Sequence, residues 1–218
     1  GLACLLLVSM ALVRYLHGRK PRWLASVQPG MRWRYLLICL LAAAVVINAV
    51  LWASFWLLEQ PAFVPAQDGW PYFLIAIVLF APLQAAAEEF FFRGYVFQAL
   101  GSAFGSAWAG IVGSALLFAV FHGIQSPALF VDRFGFGLLA AWLVWRTGGL
   151  EAAIGAHVVN NLFAFGYGIF TGGVAATKAI TEVGWDKAAV DILGFALFAL
   201  VATWLARRLN VATTTPNG

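Results

Sequence analysis

Seven long runs of apolar residues follow one another along the chain, at about 1–17, 35–58, 71–98, 106–123, 129–146, 151–170 and 188–206. Each is long enough to approach or span a hydrocarbon core of about 30 Å. The breaks between them have their own chemistry. The stretch RYLHGRKPRWLASVQPGMRWR, Arg14 to Arg34, is basic and carries Pro21, Pro29 and Gly30, whereas QPAFVPAQDGWP, Gln60 to Pro71, has no cation. A longer polar connection, TGGVAATKAITEVGWDK, joins Thr171 to Lys187. Since hydrocarbon offers backbone groups no water, every run is predicted to be a helix that closes its hydrogen bonds within itself.

Composition makes the membrane reading firmer. Hydrophobic residues form 63% of the chain and charged residues 10%, with a mean hydropathy of +0.88, far from a soluble globular average. The pattern predicts an all-α, polytopic transmembrane helical bundle of about seven spans. The chain opens on Gly1 inside an apolar run, which leaves room for an eighth span in a longer protein. Residues 1–210 read as a single integral-membrane domain, with the chemistry confined to 70–170, and 211–218 as a disordered tail.

The net charge of +4 does not point to nucleic acid, because the cations sit in short loops where they would face lipid headgroups. If the Arg14–Arg34 loop is cytoplasmic, alternation puts nine cations on that side against Arg133, Lys178 and Lys187 on the other. The expectation is a multi-pass protein of a bacterial cell membrane with a cytoplasmic C-terminus. Trp23, Trp33, Tyr35, Trp70, Tyr72, Trp142 and Trp145 near span ends fit interfacial belts. Cys4 and Cys39 form no CxxC and predict no disulfide framework.

Against this background the segment AAAEEFFFRGYVFQAL is anomalous, since Glu88, Glu89 and Arg93 fall within six residues of a membrane run. Each ionisable group at membrane depth costs about 2.5 to 3.5 kcal/mol unless it faces protein or water. Glu89 and Arg93 are four apart and share a helix face, in the favourable order for an ion pair. Glu88 points about 100° away and is left for another partner. The other polar groups at depth are His122, in ALLFAVFHG one turn after Phe118, and His157 with Asn161, four apart in GAHVVNNLFAF. Each motif alone is readily explained by helix ends, snorkelling or interhelical hydrogen bonding.

Together they suggest more: a carboxylate, two imidazoles and a carboxamide on three helices converge only if they face one interior cavity. In such a cavity Glu88 is a candidate general base, His122 a second holder of the same water, and His157 and Asn161 candidate donors to a carbonyl oxygen gaining charge. The chemistry is hydrolysis of an acyl bond. Zinc held by Glu88, His122 and His157 is the competing use of these groups, without an HExxH to support it. Ser102, Ser106 and Ser114 lie in glycine- and alanine-rich surroundings with no GxSxG.

The three motifs, EEFFFR at Glu88–Arg93, FAVFH at Phe118–His122 and HVVNN at His157–Asn161, resemble the EExxxR, FxxxH and HxxxN pattern of the CPBP family. These are the CAAX-processing and bacteriocin-processing intramembrane endopeptidases, also called Abi or Rce1-like. The resemblance covers about residues 70–170. It implies an intramembrane protease in which Glu88 and His122 activate water, His157 and Asn161 form the oxyanion hole, and Glu89, Arg93 and Phe118 support them. The implied substrate is a membrane-associated peptide or protein, lipidated chains included; no nucleic acid is implied. No cofactor is required on this reading, with Zn2+ as the alternative. A non-enzymatic immunity or scaffold protein that keeps the motifs for packing is the second reading. A small transporter or proton relay is a distant third.

Overall fold

Trp33–Leu57 forms one helix, here α2, over 25 residues, a length of roughly 38 Å at 1.5 Å per residue. Its interruptions in polarity are absorbed locally. Asn48, the one carboxamide in it, donates to Ala44 O at 2.8 Å and accepts from Tyr167 Oη at 3.0 Å, and the Tyr167 hydroxyl in turn accepts from Trp52 Nε1 at 2.9 Å. The computed structural model describes residues 2–58, 61–123 and 126–216; Gly1, the Gln60 that opens the second predicted loop, and the last two tail residues lie outside them.

The regular elements among the described residues are all helices, with no strand among them. Cys4–Ala11 is α1, continued by a π-helical turn at Leu12–Leu16. Trp70–Glu89 is α3, followed by a second π-helical turn at Phe90–Val96 and then by Phe97–Phe104, α4. Ala107–Phe121 is α5, Pro127–Thr147 is α6 and Glu151–Gly168 is α7. The short α8, Val174–Lys178, precedes the long α9, Trp185–Arg208. All seven apolar runs therefore become helices where the pattern places them.

Their lengths differ in consequence. Among the described residues, Trp33–Leu57, Trp70–Phe104, Pro127–Thr147 and Trp185–Arg208 are long and apolar enough to cross a membrane, while Cys4–Leu16 and Ala107–Phe121 are shorter apolar helices. Four such helices make this an integral membrane protein. The third predicted span is not the regular α-helix that its apolar run implies. Pro82 lacks the N–H that would reach the carbonyl four residues back, and the π turn then changes the winding directly after Glu89. Such turns recur at functional sites.

The helix α7 lies at the centre, packed against α2, α3 and α6. Every residue from Glu151 to Val159 is buried, and Ala152, Ala153, Gly155 and Ala156 let the neighbours approach its backbone. A Cβ on Gly155 would lie 3.1 Å from Cys39 Cβ on α2. The contact between α5 and α6 is closer still: a Cβ on Gly137 would meet Ala115 Cα at 2.9 Å. Backbone cannot swing aside as a long side chain can, so Gly137→Ala is expected to force the two helices apart and to cost about 1 to 3 kcal/mol. Thermal unfolding in detergent checks this, and an unchanged midpoint would contradict it. Apolar side chains on the outer faces, such as Leu41 and Val45 of α2 or Leu79 and Phe80 of α3, stay exposed, as lipid-facing residues should.

Candidate active site

Helical geometry sets the first part of the site. Gln84 and Glu88 are one turn apart on α3 and share a face, and Gln84 Nε2 donates to Glu88 Oε1 at 3.1 Å. Glu89, one position on, faces elsewhere. Its Oε1 accepts from Arg93 Nη1 at 2.9 Å and from His157 Nδ1 at 2.7 Å. The i,i+4 ion pair read from the sequence is therefore present, with a histidine from α7 added to it.

Burial makes these bonds consequential. Glu89 and Arg93 are fully buried and Glu88 is 1% exposed, so an unmatched charge among them would be severely penalised. Arg93 meets that demand partly through rings: its guanidinium carbon lies 4.3 Å from the centroid of Phe118 and 5.4 Å from that of Phe136. Desolvated contacts of this kind are worth up to about 2 kcal/mol. Phe118, predicted as a supporting residue, thus touches the ion pair directly, and its ring centroid also lies 4.3 Å from that of His122.

The remaining oxygen, Glu88 Oε2, is buried and accepts no hydrogen bond within the protein. It faces two imidazoles, with His122 Nε2 at 3.7 Å and His157 Nε2 at 3.8 Å. Both distances are too long for direct hydrogen bonds, yet a water at about 2.7 to 3.0 Å from each fits between such atoms. The opposite nitrogens fix the rings. His122 Nδ1 lies 2.8 Å from Phe118 O, and a carbonyl only accepts, so Nδ1 carries the proton and Nε2 of the neutral ring presents a lone pair to Glu88. His157 Nδ1 likewise donates to the Glu89 carboxylate.

The end of α5 is held in place from α6, where Arg133 Nη1 donates to His122 O at 3.0 Å. The His122 side chain is 29% exposed, against 6% for His157, so the site is reached from the His122 side. Asn161 lies one turn beyond His157 and is half-buried. Among the described residues its side-chain hydrogen bond is a long one, 3.4 Å from Asn160 Nδ2 to its Oδ1, which leaves its NH2 group for a ligand.

Glu88, His122 and His157 therefore come together from three helices, with Glu89, Arg93 and Phe118 around them and Asn161 at one side. Besides sharing a helix face with Asn161, His157 faces Glu88 and is tied to Glu89, contacts between helices that the sequence spacing does not show. Sequence reasoning missed Gln84, which lies four residues before Glu88 on its face and was legible from that spacing. It also missed Phe136 and Arg133, which no local pattern marks. Two imidazole nitrogens and a carboxylate oxygen are donor types that zinc accepts, and the outer bonds to Phe118 O and Glu89 resemble those that orient metal-bound histidines. Among the described residues, however, no three His, Cys, Asp or Glu side chains are already gathered as a metal site.

Residues 68–163 match the family described as type II CAAX prenyl endopeptidase Rce1-like. Among curated proteins the chain is similar to the uncharacterized protein YyaK of Bacillus subtilis (strain 168), with 28% identity over 163 residues, 69% of this chain and 53% of YyaK. The chain thus spans about half the length of that relative. No solved structure matches it. The matched interval holds all three motifs, and over it the chain is similar to the Rce1-like family, a family of proteases.

Proposed function

We propose that the protein is an intramembrane endopeptidase that hydrolyses a peptide bond in a membrane-associated substrate, with water activated by Glu88 and His122. The observation that carries this reading is the buried, unpartnered Glu88 Oε2 facing two imidazole nitrogens. Such an oxygen needs a hydrogen-bond donor beside it, and a water supplies one proton to Glu88 and the other to His122 Nε2. As the water oxygen bonds to the scissile carbonyl carbon, Glu88 takes its proton, and on collapse of the tetrahedral intermediate passes that proton to the departing amine nitrogen.

Position gives His157 its part. Arg93 offsets Glu89, and Glu89 holds His157 by Nδ1 with Nε2 turned toward Glu88. The Asn161 amide, and His157 Nε2 when it carries a proton, then donate to the carbonyl oxygen as it becomes an oxyanion, each worth roughly 3 kcal/mol of barrier. Gln84 orients Glu88 by holding its other oxygen.

The family's description names prenyl endopeptidases; for this chain the substrate proposed is a peptide tethered to the membrane, lipidated chains included. The Arg14–Arg34 loop and the tail lie on one face, since Arg32 Nη1 donates to Ala212 O at 2.7 Å, which supports a common side for both; the cations of the loop make the cytoplasmic side of a bacterial cell membrane the one proposed. The zinc-dependent form of the same protease is favoured by the donor types and by the outer bonds of the two histidines to Phe118 O and Glu89. Purified protein in liposomes is expected to cleave tethered peptides and to lose less than about twofold of that rate in a chelator that strips zinc. A loss of tenfold or more, restored by zinc, would establish the metal form. If a panel of tethered peptides stays intact, the proteolytic reading gives way to the immunity or scaffold reading.

A further inference from the structure

The loop between α1 and α2 folds over one end of the bundle and is held there firmly. Arg32 grips Glu151 of α7 with Nε at 2.9 Å from Oε1 and Nη2 at 2.5 Å from Oε2, and its Nη1 reaches Thr147 O at 3.0 Å. Backbone bonds from Val27 N to Gly148 O and from Leu150 N to Ala25 O, both 2.8 Å, join the loop to the turn between α6 and α7. A 3-10 turn at Pro21–Leu24 stands in this loop between two cavities.

The larger cavity, about 810 Å³, is lined by Arg19, Lys20 and Arg22 together with Trp23, Gln98 and Trp145. The smaller, about 430 Å³, is lined by apolar residues such as Leu6, Met10, Met31 and Phe90, with Arg22 as its one charged member among the described residues. Arg22 therefore belongs to both. No carboxylate lines either cavity, and Glu151, the acid at this end of the bundle, is already engaged by Arg32. Among the described residues, no ion pair involves Arg19, Lys20 or Arg22.

Three adjacent cations repel one another and attract an anion. Trp23 and Trp145 on the same wall are residues that settle at headgroup level, where basic pockets between membrane helices hold phosphate-bearing headgroups. A purely ionic site would have no use for the apolar chamber that Arg22 joins to it. We infer that the two cavities together bind one anionic phospholipid, its phosphate among Arg19, Lys20 and Arg22 and an acyl chain in the chamber lined by Leu6, Met10 and Phe90. The lipid would brace the loop against α1, α3 and α4 without entering the Glu88 site.

Native mass spectrometry of the purified protein, exchanged into equal phosphatidylglycerol and phosphatidylcholine, tests this. The protein is expected to retain one phosphatidylglycerol in preference to phosphatidylcholine by about tenfold or more. The triple variant Arg19→Gln, Lys20→Gln, Arg22→Gln should lose that preference. Leu6→Trp, which keeps all three cations and fills the apolar chamber, should lose retained phosphatidylglycerol too, and millimolar inorganic phosphate should not displace the lipid. Equal retention of the two lipids by the native chain, or undiminished preference in the triple variant, would overturn the inference. So would full retention by Leu6→Trp or displacement by phosphate alone.

Discussion

Glu88→Gln is expected to abolish peptide hydrolysis while leaving the bundle folded. The amide keeps the shape of the carboxylate, and its oxygen still accepts from Gln84, whose Nε2 lies 3.1 Å from Glu88 Oε1. What disappears is the oxygen that takes a proton from water. General bases contribute about 10² to 10⁴ in rate, so a fall of about 10³ in kcat is predicted. Stability should hold or rise, because a buried carboxylate oxygen without a hydrogen-bond partner within the protein works against folding. Side-by-side rates and unfolding midpoints for the two proteins decide the matter. A variant that unfolds at a much lower temperature would show Glu88 to be a structural group, and one that still cleaves at the native rate would remove it from the chemistry.

The second large effect is on the fold. Arg93→Met removes the cation that balances Glu89, and both side chains are wholly buried. Breaking such a pair from one side strands a charge and costs about 3 to 5 kcal/mol, comparable with the net stability of a domain. The methionine also forfeits the contact with the Phe118 ring. The expected result is a protein that accumulates poorly or unfolds many degrees earlier. Adding Glu89→Gln removes the stranded charge, so the double variant should recover at least half of the lost stability. It should not recover full activity, since His157 Nδ1 then donates to a neutral amide oxygen in place of the Glu89 carboxylate, a weaker bond. Equal stability of Arg93→Met and the native protein would mean that the buried Glu89 charge does not need Arg93 to balance it.

These two variants also mark what the sequence makes legible. Apolar runs in a chain this hydrophobic have no alternative to helices, and every run is a helix in the structure. The Glu89–Arg93 pair was readable because both residues lie on one helix at a fixed spacing. Convergence of Glu88, His122 and His157 was readable because three polar groups in lipid-spanning segments need a common interior. Contacts set by packing between distant segments were not readable. Nothing in the sequence singles out Glu151, which Arg32 reaches across 119 positions, nor Phe136, which faces Arg93 from a different helix. The π turn at Phe90–Val96 is as apolar as the helix around it apart from Arg93 and Gly94, so its altered winding left no trace in the pattern of apolar positions.

The central claim is that a single water, positioned by Glu88 and His122, is the nucleophile. An experimental structure of the protein in lipid, at a resolution that shows ordered solvent, tests it most directly. The account predicts one solvent peak about 2.6 to 3.2 Å from both Glu88 Oε2 and His122 Nε2, with His157 held by Glu89 beside it. Glu88 turned away from both imidazoles, or a peak at about 2.0 to 2.2 Å from the carboxylate and both imidazoles, would contradict it.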